Sequence, residues 1–294
     1  MLEINRKKLI LFFALCSLLF IIPIAVYMSR SPVLIVTDAS FYQLYGSQRI
    51  KQQRQKTSRQ LFRRFIPVYV AESAGPDLVA IAAGEAFDRP HAVIFPHRYQ
   101  EGAAIYSENH PEVQVFVFGG LRSEDNEPFI RVRTDTVLDL YRAGLGAALL
   151  AEDKGVLFIS EGSLADEYRE AFQAGLRDGG FLDDPVYIGL FTYYMAYDLK
   201  GCVVAAGPAS YYFEASYNIP TILFSWANPG LSPNIVKLIF NDSSWALAAR
   251  ALKTRLPAQG DMFLGSEPMV LKDRMDRRTY RMLNRFTRAN FQAN

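Results

Sequence analysis

Two cysteines in 294 residues are too few for a disulfide framework. Cys16 lies inside an apolar run and Cys202 in a predicted strand, so they are not expected to meet, and any exported part of the chain must rely on its core. Cys202 itself reads as a small buried apolar residue. Histidine is nearly as scarce. His91, His97 and His110 are the only three, no Cys/His spacing resembles a zinc site, and neither a metal nor another cofactor is expected. Phosphate loops are missing too: Gly144-Leu145-Gly146 falls inside a predicted helix and lacks the third glycine, so its expected role is close helix–sheet packing. Glu161-Gly162-Ser163 lacks the full G-x-S-x-G elbow. No Ser/His/Asp pattern is specific enough for an esterase, and the chain is not read as an enzyme; a strongly shifted acid–base pair in a cleft would revive that reading. Internal repeats and low-complexity stretches are absent. A hydrophobic content of 50% with 13% aromatics excludes a disordered segment.

What the chain does have is an unbroken apolar run from Leu9 to Met28, preceded by Arg6-Lys7-Lys8. About 20 residues at 1.5 Å each span the hydrocarbon core of a bilayer, and flanking positive charge stays on the cytoplasmic side. The expectation is a single-pass anchor in the inner membrane with the bulk of the chain in the periplasm. A cleaved signal peptide is the first alternative, but the run exceeds the usual h-region of roughly 7–15 residues and Ala25-Val26-Tyr27-Met28 lacks the A-x-A pattern. A lipid-bearing Cys16 is the second, although Leu15 stands where a small residue is wanted. Pro23 is tolerated within a membrane helix.

The net charge of +2 conceals segregation. Residues 1–64 carry about +9, residues 65–270 about −12 and the tail from 271 about +5. Arg49 to Arg64 is densely basic. It suits anionic headgroups, while a solvated helix face, or pairing with the acidic body, is the plainer reading. The basic tail reads as a packed or solvated helix, and nucleic acid is not an expected partner.

From Pro32 onward, short apolar runs alternate with amphipathic stretches. Strands are predicted over 33–36, 66–70, 92–95, 113–118, 130–133, 156–159, 186–190, 202–206, 221–224 and 235–240. Helices are predicted over 43–64, 77–84, 99–109, 135–152, from a cap at Ser163 to Asp178, from Asp242 or Ser243 to about Lys253, and 272–291. Near-continuous apolar strands between helices indicate parallel sheets covered on both faces. The predicted organisation is a stub and anchor over 1–31, a first lobe over 32–134 completed by 229–257, a second lobe over 135–228, and an irregular segment with a basic helix over 258–294.

VLIVTDASFYQL after Pro32, GAAIYSENHPEVQVFVFGG, RVRTDTVLDLYRAGLGAALLAEDKGVLFISEG and YREAFQAGLRDGG together resemble the basic membrane protein family of bacterial solute-binding proteins. The resemblance is distributed over about residues 32–254. It implies a two-lobe type I periplasmic-binding-protein-like fold, α/β with parallel sheets flanked by helices, closing over a ligand in a cleft. The chain departs from the family where Phe118-Gly119-Gly120 replaces an aspartate after the fourth strand. It departs again where Ser225-Trp226-Ala227-Asn228 stands in a loop in which the family usually offers an acidic residue. Phe191 to Gly201 leaves about 11 residues between two second-lobe strands, close to the minimum for a parallel crossover.

In parallel sheets, ligands sit outside the carboxyl ends of the strands. Asp38 after the first strand is a candidate hydrogen-bond acceptor, or a cap. Phe41 is a stacking ring or lobe core, and His97 after the third strand a contact or a loop residue. Gly119 closes the fourth strand. Trp226 beside Asn228 suits an uncharged ligand. The leading expectation is a membrane-tethered binding protein that captures a small polar molecule, with a nucleoside-like one as its example, for a transporter or sensor partner. The rival is an envelope interaction module that keeps the fold without a ligand.

Overall fold

The structure is a computed structural model, and it describes residues 19, 21–40, 47–119, 127–151, 154–160, 164–189, 201–206, 219–224, 236–241, 244–253, 260–271 and 275–287. These residues divide into two compact units, the first within 1–41, 50–131 and 257–260, the second within 42–49, 132–256 and 261–294.

The first sheet grows from β1 (Val33–Thr37), whose five residues are all buried. It lies between β2 (Phe65–Tyr69) and β3 (Ala92–Pro96), parallel to both. β4 (Gln114–Phe118) extends β3 in parallel, and β5 (Ile130–Thr134) and β11 (Gly260–Leu264) complete the order β11-β5-β4-β3-β1-β2. Among the described residues, the helices α1 (Ser47–Leu61), α2 (Pro76–Ala86) and α3 (Gln100–Asn109) accompany this sheet. Leu34, Val36 and Phe95 from the strands pack on Val79, Ala83 and Tyr106 from the helices. Val-Leu-Ile-rich strands form here because both pleated faces exclude water, and β-branched residues fit that surface.

The second sheet has the order β12-β10-β9-β8-β6-β7. Its strands are β6 (Val156–Ser160), β7 (Val186–Gly189), β8 (Cys202–Ala206), β9 (Thr221–Phe224), β10 (Val236–Asn241) and β12 (Glu267–Val270). β6 to β10 pair in parallel, and β12 joins β10 antiparallel. Its helices are α4 (Thr136–Ala151), α5 (Asp166–Asp178), α6 (Ser244–Ala251) and α7 (Arg277–Phe286). Each sheet ends on one proline-bearing outer strand: Pro67 in β2 faces Ile35, and Pro268 in β12 faces Phe240. A proline lacks the N–H for a further pairing, which is why it sits at an edge.

Two glycines let α4 and α5 touch backbone to backbone. A Cβ on Gly144 would lie 2.2 Å from the Phe172 carbonyl oxygen, and one on Gly175 would lie 2.0 Å from that of Tyr141. Gly146 faces the sheet, where a Cβ would crowd Ile222 and Leu238 at 3.1 Å and Leu283 of α7 at 3.3 Å. The Gly-Leu-Gly motif thus serves two interfaces, the expected helix–sheet contact at Gly146 and a helix–helix crossing at Gly144.

Three differences from the sequence reading stand out. The segment 229–257 was expected to complete the first lobe, yet Val236–Asn241 lies inside the second sheet, and the return to the first sheet is made by β11. The stretch 258–271, expected to be irregular, holds β11 and β12. Both are short outer strands broken at Gly265-Ser266, and β12 is only partly buried along its length, so neither shows a continuous apolar run. The expected cap at Ser163 lies outside the described residues. Helix α5 starts at Asp166 behind Ala165, with Asp166 and Glu167 favouring its first turn through the helix dipole.

The basic C-terminal helix is shorter than expected. Asp276 caps it by accepting from the backbone N–H of Arg278 at 2.8 Å and of Thr279 at 3.0 Å, and Leu283 is its buried anchor. Most of the apolar run 9–28 lies outside the described residues. Its last part is helical over 21–29, with Ile21, Ile22, Ile24 and Met28 more than half exposed. Among the described residues no helix is long and apolar enough to cross a membrane.

Candidate functional site

The carboxyl ends of β1, β3 and β4 bring three sequence candidates, Asp38, His97 and Gly119, to one edge of the first sheet. Parallel pairing puts these ends side by side, so residues 38, 97 and 119 become neighbours although far apart in sequence. Two arginines organise this edge into two arms.

In the first arm Asp38 is 2% exposed. Its Oδ1 accepts from the Ser40 hydroxyl at 2.6 Å, and its Oδ2 accepts from the Tyr99 phenol at 2.7 Å. Arg98 forms an ion pair with Oδ2 at 2.9 Å. The same guanidinium donates to the Ser40 hydroxyl and to the Glu72 carbonyl, both at 3.0 Å, and lies 5.1 Å above the Tyr99 ring. Burial, and then the hydrogen bond to the carboxylate, push the Tyr99 phenol up to about 12, so it stays a donor at neutral pH. Arg98 remains 44% exposed.

The second arm centres on Arg131, whose side chain is 3% exposed. Its Nε donates to Glu127 Oε2 at 3.2 Å and its Nη2 to Glu127 Oε1, a fork-on-carboxylate pairing. Nη2 also donates to Gln100 Oε1 at 3.2 Å. Nη1 donates to the Gly119 carbonyl at 3.4 Å and meets His97 Nδ1 at 3.4 Å. Arg131 thereby ties the ends of β3 and β4 together. Gly119 has φ +88°, a conformation that favours glycine and turns the chain out of β4 beside His97.

A cavity of about 300 Å³ opens between the start of α2 and the turn His97–Tyr99, lined in part by Pro76, Val79, His97, Arg98 and Gln100. Asp38 is enclosed by its own partners, whereas His97 and Arg98 reach both the cavity and solvent. Phe41, Trp226 and Asn228 lie outside the described residues. Arg98, Tyr99, Glu127 and Arg131 escaped the sequence reading. The available signals were the run Pro96-His97-Arg98-Tyr99 directly after a strand, and an arginine inside a predicted strand.

In the second unit a different polar cluster fixes the β11–β12 turn. Asp139 of α4, 1% exposed, accepts from the Ser266 N–H at 2.8 and 3.0 Å and from its hydroxyl at 2.5 Å. Arg250 donates to the carbonyls of Gly265 and Ser266. Burial raises Asp139 to about 7, against the opposing pull of Ser266 and Arg142. Its enclosure leaves it no access to a substrate, so this shifted acid is structural. Among the described residues no three His, Cys, Asp or Glu side chains gather as metal ligands.

No protein-family model and no curated protein matches the chain. Among solved structures it is similar to a transcriptional activator of the comK gene from Bacillus halodurans, with a TM-score of 0.58 and 11% identity over 87% of this chain and 95% of that one. It is also similar to an ABC transporter system solute-binding protein from Conexibacter woesei, with a TM-score of 0.55 and 12% identity over 90% of this chain and 99% of that one. At such identities the likeness is one of fold: two parallel-sheet α/β units of the type I periplasmic-binding kind.

Proposed function

We propose that this chain is a binding protein of the basic-membrane-protein type, tethered by residues 9–28 to the inner membrane with its bulk in the periplasm. It holds a small, uncharged polar molecule, nucleoside-like or sugar-like, against the first-sheet edge and presents it to a transporter or sensor in the same membrane. The observation that carries this reading is the charge balance of the two arms. Arg98 is paired with Asp38 and Arg131 with Glu127, so neither guanidinium is left to neutralise a charged ligand. A charged ligand would compete with those pairs, whereas a hydroxyl-rich one meets His97 and the exposed part of Arg98. Isothermal titration of the full chain in detergent against nucleosides, sugars and amino acids tests it. Binding confined to uncharged polar ligands is expected, and an absence of heat with all three classes removes the capture role.

One observation favours a second reading. Both oxygens of Asp38, and both terminal nitrogens and Nε of Arg131, are already engaged by the protein itself. An edge satisfied from within suits an envelope interaction module that keeps the fold and binds a protein. That reading predicts no ligand heat and a stable protein partner on affinity capture from detergent-solubilised membranes.

A further inference from the structure

We propose that α1 is a headgroup-contact helix: its basic exposed face lies on an anionic lipid bilayer at the place where residues 21–29 leave that bilayer. The inference rests on the tether proposed above and adds to it which surface of the first unit meets the lipid.

The first observation is a one-sided charge. Between Asp38 and Glu72 the chain carries seven arginines and lysines and no aspartate or glutamate. Lys51, Lys56 and Arg59 of α1 are exposed, and Gln52, Gln55 and Gln60 accompany them. A face of lysine, arginine and glutamine has nothing apolar to insert. Its complement is a layer of negative charge and hydrogen-bond acceptors, which is what anionic headgroups present.

The second observation is where this helix is attached. Tyr27 and Ser58 share a hydrogen bond at 2.6 Å, and Tyr27 meets the Phe62 ring edge-on at 5.5 Å. Arg30 lies 5.4 Å above the other ring of that pair, Phe62. Arg63 donates to the Ser31 carbonyl at 2.9 Å. Phe62 holds φ 50°, a conformation rare for a bulky residue, and so turns the chain sharply at the end of α1. These contacts fix the last turn of α1 to a helical segment whose Ile21, Ile22, Ile24 and Met28 are exposed. The apolar segment and the end of the basic helix are therefore joined directly. Tyr27 at their junction is a residue type enriched at membrane–water interfaces.

The third observation is that like charges crowd at the junction. Arg63 is lowered from its ordinary value by burial and then by the neighbouring Arg30. A phosphate between them would relieve that repulsion. A helix of 15 residues is about 22 Å long, so its charges reach several headgroups at once. Each basic residue held at an anionic surface strengthens attachment by roughly fivefold.

The test uses the full chain reconstituted in vesicles of phosphatidylcholine alone and of phosphatidylcholine mixed with phosphatidylglycerol. Backbone amide exchange is followed over residues 51–60, with α4 as the internal reference. Exchange over 51–60 is expected to slow by about tenfold or more in the anionic vesicles, to recover in high salt, and to lose the slowing in a Lys51→Glu, Lys56→Glu, Arg59→Glu variant whose α4 exchange is unchanged. Equal exchange in the two lipids overturns the proposal while co-flotation with both vesicles leaves the tether standing. Protection that instead follows protein concentration also overturns it, in favour of contact between copies. Failure to float with either vesicle removes the tether and the headgroup contact together.

Discussion

Among the described residues, each unit buries one aspartate against a serine, and the two are held in opposite ways. Asp38 in the first unit has a guanidinium in direct contact at 2.9 Å and sits at the sheet edge beside solvent-reaching groups. Asp139 in the second unit is gripped by a single serine and is raised to about 7 by burial. The glycines differ in parallel. Gly144 and Gly175 let two backbones touch in the second unit, whereas Gly102 in the first leaves a Cβ 3.0 Å from Pro76 and Val79. The contrast teaches that the first unit places its polar groups at an edge that reaches solvent, and the second in a tightly fitted scaffold for the β11–β12 turn.

The most severe way to break this contrast is Gly175→Ala. A Cβ 2.0 Å from a carbonyl oxygen forces α4 and α5 apart, and the expected loss is about 3 kcal/mol or more, read as a lowered unfolding midpoint in urea. Next is the pH response of Asp139. Its folded value of about 7 lies above the roughly 3.9 of an unfolded aspartate. The folded state therefore holds the proton more tightly. That contribution is complete below about pH 4 and is lost as the pH rises through 7. Asp139→Asn should accordingly gain on the wild type by about 2–3 kcal/mol between pH 5 and pH 8. Parallel urea titrations at the two pH values check this, and a constant difference would show that the carboxyl is already ionised at pH 5.

Asp38→Asn comes third, at about 1–2 kcal/mol, because the stranded Arg98 is partly solvated and finds water. Its larger consequence is for the edge: without the carboxylate, Tyr99 and Arg98 lose their common acceptor, and ligand affinity measured by titration should fall with it. Gly102→Ala should cost only about 1 kcal/mol in thermal unfolding, since Val79 can yield slightly. A cost equal to that of Gly175→Ala would erase the distinction between the units. His97→Ala should change stability by less than about 0.5 kcal/mol, as for an exposed site, while weakening ligand binding.

Much of the sheet composition was legible because buried parallel strands announce themselves. Val33–Thr37, Ala92–Pro96 and Thr221–Phe224 are apolar runs bounded by breakers. The partition between sheets was not legible. Val236–Asn241 looks like any other buried strand, and its partner is chosen by packing that a single sequence does not display. Glu267–Val270 hid for the opposite reason, being short, polar and interrupted by Pro268. At the edge, Asp38, His97 and Gly119 were found because each directly follows a strand. Arg131 was missed because its partners lie at positions 97, 100 and 119, and its rank as the hub of the second arm comes from those distances alone.

The outer prolines bear on how the chain behaves in bulk. Newly made chains at high local concentration risk joining sheet to sheet, one exposed row of amides templating the next. At β2 and β12 that row is interrupted by Pro67 and Pro268, so a stray strand docking there meets a missing donor. These two residues act against inclusion-body and fibre formation, and they do so in every copy from the moment its sheets form.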